Sequence, residues 1–97
     1  MTPSCEAGLH LDPKVRADAV LRLKSIRGHV EGILGMLDRE SVYCVDVLKQ
    51  TKAVTGALDK VGALILRSHL QHHVVTAAQR GDVDEIVAEM MELLKYR

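Results

Sequence analysis

Residues 41–79 decide the fold of this chain, and their sequence is SVYCVDVLKQTKAVTGALDKVGALILRSHLQHHVVTAAQ. Apolar residues recur through most of this stretch at steps of three and four residues. That spacing is typical of one face of an amphipathic α-helix. We therefore predict one long helix over this stretch, with Cys44 near its start and His69 and His73 near its end.

Cys44, His69 and His73 carry donor atoms that suit a soft or borderline metal ion, because Cys sulfur binds Cu(I) and Zn(II), and His nitrogen binds Cu, Zn and Ni. In a continuous helix the 25 residues from Cys44 to His69 rise about 37 Å, so they cannot share a metal within one chain. Two copies lying antiparallel about a two-fold axis would bring Cys44 of one copy to both histidines of the other, at each end. The spacing therefore predicts an obligate dimer with two symmetric sites.

The size and composition of the chain favour the same assembly. At 97 residues and 10.7 kDa it is one domain, near the size at which oligomerisation often completes a core. Hydrophobic residues make up 47% of the chain and aromatic residues only 2%, which favours helices with an aliphatic core. Small residues that would let two backbones approach closely surround the midpoint of the long helix: Ala53, Gly56, Ala57, Gly62 and Ala63.

The residues that precede the long helix predict another helix, which we call helix 1; the long helix is helix 2. Residues 1–11 lack periodicity, and we expect them to form a flexible N-terminal tail. Asp12 as N-cap and Pro13 in the first turn begin helix 1, which we expect to run to about Arg39. The short connection to helix 2 predicts an antiparallel hairpin. Residues 12–97 would then form a single all-helical domain.

A third, short helix is predicted after Gly81, which ends helix 2. Asp82, followed three residues later by Glu85, forms a capping-box pattern. The predicted fold is all-α, with long, long and short helices, and the two long helices of each copy would form an antiparallel four-helix-bundle dimer. We expect helix 3 to bury its apolar residues, which are Val83, Ile86, Val87, Met90, Leu93 and Leu94.

The charge is zero overall but unevenly distributed. Residues 13–67 carry ten basic and six acidic residues, whereas residues 68–97 carry three basic and five acidic ones. No apolar run approaches the roughly 18 residues that span a bilayer, and the N-terminus lacks a signal-peptide pattern. We therefore expect a cytoplasmic protein without a membrane partner, in which Cys5 and Cys44 are reduced thiols or ligands rather than a disulfide.

Two interpretations of the metal ligands stay open at this point. Histidines four residues apart also occur by chance on a solvated helix face, and a lone Cys is often an ordinary small buried residue. As ligands, Cys44, His69 and His73 would fit trigonal Cu(I) best. A fourth ligand from the tail, His10 or Cys5, would favour Zn(II), Ni(II) or Co(II) instead.

Basic residues follow the predicted solvent faces of both long helices. An ordinary solvated surface would account for them, but a symmetric oligomer would duplicate them into one positive face able to bind the phosphates of double-stranded DNA. The sequence contains no recognisable helix-turn-helix. The basic residues concerned are Arg16, Arg22, Lys24 and Arg27 on helix 1, and Lys49, Lys52, Lys60 and Arg67 on helix 2.

Enzymatic activity has little support. Cys44 and the histidines could imitate a nucleophile and a base, but no third residue orients the base and no glycine-rich phosphate loop is present. The carboxylates of the third helix, Glu85, Glu89 and Glu92, have the spacing of an ordinary solvent-exposed face. We expect neither catalysis nor a small organic substrate.

Several of these segments together resemble the CsoR/RcnR family of bacterial metal-responsive repressors. They are RLKSIRGHVEGI at residues 22–33, ML at 36–37 and YCVDVLKQ at 43–50, together with His69 and His73, and the resemblance covers about residues 13–95. It implies an all-helical homodimer that pairs into a homotetramer, a dimer of dimers. It further implies that the protein binds operator DNA without metal and releases it when metal binds.

The resemblance also implies roles for individual residues. The metal ligands would be Cys44 of one subunit with His69 and His73 of another, surrounded by Tyr43 and Glu89, which in copper sensors connect a ligand histidine to the third helix. DNA binding would rest on Arg22 and Lys60, with Lys24 and Arg27 assisting.

The sequence differs from copper-sensing relatives mainly at a predicted ligand, and this difference bears on the identity of the metal. Such relatives more often have Cys where this chain has His73, and Cys-His-His is also the core of nickel and cobalt sensors, which add an N-terminal histidine near the place of His10. Tyr43 and Glu89 favour Cu(I). A sensor of Ni(II), Co(II) or Zn(II) is the alternative within the family, and a metal-buffering helical protein that does not bind DNA is the alternative from another class.

Overall fold

The computed structural model describes residues 11–96, and the regular structure in that range is entirely helical. The elements are α1 (Pro13–Leu37), α2 (Cys44–His69), a π-helical turn (Leu70–Val74), α3 (Val75–Gln79), α4 (Val83–Leu93) and a final 3-10 turn (Leu94–Tyr96). The predicted all-α fold of long, long and short helices is confirmed. Cys5 and His10 lie outside the described residues.

Helix α1 begins as its sequence predicts. The Asp12 carboxylate accepts a hydrogen bond of 2.8 Å from the backbone N–H of Lys14, and Pro13 occupies the first turn, where its missing N–H costs no hydrogen bond. The helix ends at Leu37, two residues before the predicted Arg39. The N–H of Arg39 instead bonds the carbonyl of Met36 at 3.2 Å, which tightens the chain into the turn that reverses its direction.

Helix α2, the π turn and α3 form one unbroken helical rod over residues 44–79, defined here as the rod. It begins at Cys44 rather than at Ser41, because Tyr43 is extended and acts as the N-cap without a side-chain hydrogen bond. The π turn over Leu70–Val74 contains His73, and π turns inside helices occur frequently at functional sites. The prediction of one long helix is therefore right apart from its first three residues and this local widening.

A glycine-dependent turn separates the rod from α4. Gly81 has φ of +72°, its N–H bonds the carbonyl of Ala78 at 3.0 Å, and the N–H of Asp82 bonds the carbonyl of Ala77 at 2.9 Å. These two bonds define a Schellman motif, in which glycine takes the left-handed conformation at low cost. The Asp82 carboxylate then caps α4 by accepting from the N–H of Glu85 at 3.0 Å.

The α1–α2 hairpin contains the main core. Ala19 and Ile26 of α1 pack with Val61 of α2, and the half-buried residues around them are Val54, Ala57, Leu64 and Ile65. A hydrogen bond of 2.5 Å between His29 Nε2 and Gln50 Oε1 joins the same two helices nearer their connection. The described chain extends 60 × 25 × 18 Å, so a small core supports a long structure.

The predicted third helix corresponds to α4, and the prediction that it buries its apolar residues is wrong within a single chain. Val83 is 65% exposed, and Val87, Met90 and Leu94 are also exposed, whereas Ile86 and Leu93 are half-buried. Periodicity identified the apolar face correctly, but no other helix of the same chain covers it. Over residues 11–96, none of the helices combines the length and the apolar character needed to cross a bilayer.

Candidate metal centre

The rod places the predicted ligands at its two ends. Cys44 is its first residue and is exposed, whereas His69 is the last residue of α2 and His73 lies in the π turn. At 1.5 Å per residue, about 37 Å of helix separates Cys44 from His69. Within residues 11–96 of one chain, no group of three or more His, Cys, Asp or Glu side chains could hold a metal ion.

The two histidines lie side by side on the rod. Their imidazole rings are stacked, with centroids 5.2 Å apart and planes inclined by 20°. His73 is buried and His69 half-buried. Two ordered imidazoles offer a metal two nitrogen donors of fixed separation, which are two of the three predicted ligands. His72, which was not predicted as a ligand, is exposed.

Two carboxylates of α4 face the imidazoles of His69 and His73. His69 Nε2 contacts Glu89 Oε1, while His73 Nε2 lies 3.3 Å from Glu85 Oε1 and 3.7 Å from Glu89 Oε2. Glu89 is only 5% exposed. The expectation that these carboxylates have ordinary solvent spacing is therefore wrong for Glu85 and Glu89, because the Schellman turn folds α4 back along the end of the rod.

The third carboxylate, that of Glu92, does lie on the solvent side of α4. It is exposed and pairs with Lys95 at 3.0 Å. Glu85 and Glu89 are four residues apart, as are His69 and His73. When the two helices pack side by side, each histidine can therefore lie next to one carboxylate. This matching spacing is the sequence signal for Glu85, to which the sequence analysis assigns only a capping box and a solvent-exposed face.

Tyr43 lies beside Cys44 at the opposite end of the rod from Glu89. Its side chain is 66% exposed and makes no side-chain cap on α2. Within one chain Tyr43 and Glu89 are therefore far apart, and the predicted connection between them would require a second copy.

The donor chemistry of these residues fits a soft metal ion. One thiol and two imidazoles are the S, N and N donors that Cu(I) accepts, and the carboxylates behind the rings are the partners that ligand histidines ordinarily have in metalloproteins. Because a carboxylate can only accept a hydrogen bond, the ring nitrogen facing it would carry the proton. In His69 the nitrogen that contacts Glu89, and would carry the proton, is Nε2.

Two of the predicted DNA-binding residues line one groove between α1 and α2. Arg22 and Lys60 lie on either side of a cavity of about 380 Å³, whose wall includes the small residues Ala53, Gly56 and Ala57. The Arg22 guanidinium also pairs with Asp18 at 2.9 Å, in an exposed position. Such a groove could seat a phosphate between two cations.

The other predicted DNA-binding residues are spread more widely along the hairpin. Arg16 borders a separate apolar groove at the start of α1, with Leu11, Pro13 and Val20. Lys24, Arg27 and Lys52 are exposed, and the described residues provide no ion pair for them. The structure therefore brings Arg22 and Lys60 together and leaves the remaining cations on the surface around them.

The family model for metal-sensitive transcriptional repressors matches residues 15–96. The chain belongs to this family. Members of the metal-sensitive repressor family are regulators of transcription and not enzymes, so the predicted absence of catalysis agrees with the family assignment. The resemblance drawn from residues 22–50, His69 and His73 is thereby confirmed.

Relatives of this repressor are named for copper. It is 38% identical over 86 residues to the copper-sensing transcriptional repressor CsoR of Mycobacterium tuberculosis, a match that covers 89% of this chain and 71% of the relative. It is 35% identical over 86 residues to CsoR of Bacillus subtilis, covering 89% of this chain and 84% of the relative. The crystal structure of CsoR with Cu(I) from Geobacillus thermodenitrificans superposes with a TM-score of 0.75 and 32% identity, over 87% of this chain and 86% of that chain.

Proposed function

We propose that this chain is a Cu(I)-responsive transcriptional repressor that acts as a homotetramer in the cytoplasm. In the metal-free form it binds double-stranded operator DNA. It releases the DNA when Cu(I) binds at sites formed by Cys44 of one subunit with His69 and His73 of another. The observation that carries this proposal is the placement of one thiol and a stacked imidazole pair at opposite ends of one rod.

The geometry of the rod supports a site shared between subunits. Cys44 is exposed, whereas the imidazoles face the carboxylates of Glu85 and Glu89, and His69 hydrogen-bonds to Glu89. An antiparallel second copy supplies the missing donors at each end without any unfolding of the rod. Cu(I) would supply a soft, electron-accepting centre that joins the thiolate to the imidazoles. The names of the relatives favour Cu(I) over other ions.

The DNA-binding face in this proposal is the α1–α2 groove. Arg22 and Lys60 would contact backbone phosphates, and Arg16, Lys24, Arg27 and Lys52 would extend the positive face. Two-fold symmetry repeats the groove, so a chain of zero net charge still presents several cations to a duplex.

Metal and DNA are coupled through α4 in this proposal. Glu89 joins α4 to His69, and Glu85 faces His73, so any movement of the imidazoles reaches α4 directly. Release follows if the DNA-free arrangement of the subunits binds Cu(I) more tightly than the DNA-bound one. Linkage then requires that DNA weaken Cu(I) binding by the same factor.

Fluorescence anisotropy with a labelled fragment of the DNA upstream of the gene tests the proposal. We expect the metal-free protein to bind this fragment and stoichiometric Cu(I) to release it. Cys44→Ala should bind the fragment like the wild type but show no release. Full release of the Cys44→Ala variant by Cu(I) would refute the shared site, and metal-free protein without affinity for the fragment would favour a metal buffer.

A sensor of Ni(II), Co(II) or Zn(II) is the second candidate, and one observation favours it. The imidazole of His73, with carboxylates facing both rings, makes this centre richer in nitrogen and oxygen than a thiolate-dominated copper site. X-ray absorption of the Cu(I)-loaded and Ni(II)-loaded protein separates the candidates, since a three-coordinate Cu(I) spectrum supports the first and a larger, well-ordered Ni(II) shell supports the second.

A further inference from the structure

The buried residues of the rod are not evenly spaced along the helix. They are Val61, Ser68, His73 and Ala77, which are separated by seven, five and four residues. Steps of seven and four residues return to nearly the same face of an α-helix, whereas a step of five residues ends about 140° away. The step of five residues, from Ser68 to His73, runs through the π turn over Leu70–Val74.

The π turn explains the step of five residues. It contains about one residue more than an α-helical turn, because its hydrogen bonds join residues five apart instead of four. The extra residue brings His73 to the buried side of the rod, five residues after Ser68. In a regular α-helix His72, four residues after Ser68, would take that position. In the structure His73 is buried and His72 is exposed.

We propose that the π turn sets the helical register that brings His73, rather than the adjacent His72, to the metal centre. Both residues carry an imidazole, so the chemistry of the side chains does not distinguish them, whereas the register does. This inference rests on the proposed function for the role of the selected histidine as a ligand. The register itself is a property of the metal-free chain.

The packing of α4 favours the π turn over a regular helix. Ala77 is fully buried, and its carbonyl accepts a hydrogen bond from the N–H of Asp82 in the Schellman turn. If the same residues formed a regular α-helix, Ala77 and everything after it would turn by about 100° around the rod. Glu89 would then lose its contact with His69. The contacts of α4 therefore offset the cost of a helical geometry that is rare in proteins.

The backbone of His72 marks the end of the π turn. Its carbonyl accepts hydrogen bonds from the N–H of Val75 and from the hydroxyl of Thr76. The rod returns to α-helical geometry at Val75, where α3 begins. His72 thus contributes to the turn through its backbone, while its imidazole lies on the solvent side.

Single-residue deletions on either side of the two histidines test this register. Gln71 precedes them and Val75 follows them, and both side chains are exposed. Either deletion removes the extra residue, so the segment can close into a regular α-helix without turning α4 around the rod. Deletion of Gln71 leaves His73 four residues after Ser68. Deletion of Val75 leaves His72 in that position instead.

Reaction of the metal-free protein with diethyl pyrocarbonate, followed by mass spectrometry, reports which imidazole is exposed. In the wild type and after deletion of Gln71 we expect His72 to react faster than His73. After deletion of Val75 the order should reverse. Deletion of Asp59 is the matched control, because this exposed residue lies in the regular part of α2. That deletion turns the two halves of the hairpin core apart, and we expect it to abolish cooperative thermal unfolding.

Three results would overturn the proposal. The first is faster reaction of His73 than of His72 in the wild type, and the second is an unchanged order after deletion of Val75. The third is loss of cooperative unfolding in both the Gln71 and the Val75 deletions, as in the Asp59 control, because the turn could then not close into an α-helix. Circular dichroism during heating measures cooperativity and helical content for each variant.

Cu(I) affinity provides the second readout. In the wild type His73→Ala should lower the affinity by at least about 10-fold, since even the loss of an outer partner of a ligand typically costs that much. His72→Ala should leave it unchanged. In the protein without Val75 the two substitutions should exchange their effects. If the wild type binds neither Cu(I) nor DNA, the proposed function fails, while the order of chemical modification still decides the register.

Discussion

The change in folding stability caused by an alanine at Gly81 can be worked out from the structure. Gly81 has φ of +72°, and a Cβ placed there would meet no atom within 4 Å. Gly81→Ala therefore introduces backbone strain without a steric clash. The left-handed conformation costs an L-residue about 1–2 kcal/mol, and the lower entropy of the unfolded chain returns about 0.4–1 kcal/mol. We expect a net loss of about 1 kcal/mol.

Replacement of a second glycine, Gly35, by alanine should change the stability in the opposite direction. Gly35 lies within α1, and a Cβ there also meets nothing within 4 Å, but its backbone is helical. Gly35→Ala should stabilise the protein by up to about 1 kcal/mol, because alanine is the better helix former. The two alanine variants add the same methyl group, so the difference between them isolates the conformation of the backbone.

Thermal unfolding followed by far-UV circular dichroism, at one fixed protein concentration, measures both variants. A loss of 1 kcal/mol corresponds to a fall in Tm of roughly 4–8 °C for a domain of this size. We expect Gly81→Ala to melt below the wild type and Gly35→Ala at or above it. If Gly81→Ala melted at or above the wild type, the Schellman turn would not require the left-handed conformation, and the account of how α4 reaches the histidines would be wrong.

Three further predictions concern the α1–α2 hairpin. Ile26→Ala should cost about 2–4 kcal/mol and Ile26→Val about 0.5–1.5 kcal/mol, because the side chain is buried in the core; a urea midpoint for the alanine variant equal to that of the wild type would contradict this. Gln50→Ala, which removes the hydrogen bond between α1 and α2, should cost about 1 kcal/mol in the same assay, and a loss below about 0.3 kcal/mol would show that the bond contributes nothing. Arg22→Ala and Lys60→Ala should each weaken operator binding by the metal-free protein. Each should also reduce the slope of log affinity against log salt concentration by about one. Lys95→Ala on α4 should do neither, and equal effects of all three variants would refute a DNA-binding groove between α1 and α2.

The long helices could be predicted from the sequence because their determinants are local. The three- and four-residue spacing fixes a helix over most of residues 44–79, and Asp12 with Pro13 fixes the start of α1. The start of α2 was predicted three residues early. Ser41 is a plausible N-cap by composition, but residues 38–43 are needed to reverse the chain between two antiparallel helices.

The arrangement around the histidines depended on tertiary contacts and was predicted only in part. The helical spacing placed His69 and His73 on one face, and family resemblance pointed to Glu89. Glu85 was assigned to a capping box, and the contact with His73 was missed because the Schellman turn occupies the N–H that a capping box would use. Apolar spacing likewise indicated which residues of α4 share a face, but it carries no information about which chain covers that face.

The separation of thiol and imidazoles along the rod has a genetic consequence for the proposed repressor. A subunit with Cys44→Ala still provides intact imidazoles, and a subunit with His73→Ala still provides an intact thiol. Neither variant alone can build a complete site, but a mixed dimer of the two contains one complete site and one that lacks both the Cys44 thiol and the His73 imidazole. Two non-responsive alleles expressed in the same cell should therefore complement each other and restore part of the copper response.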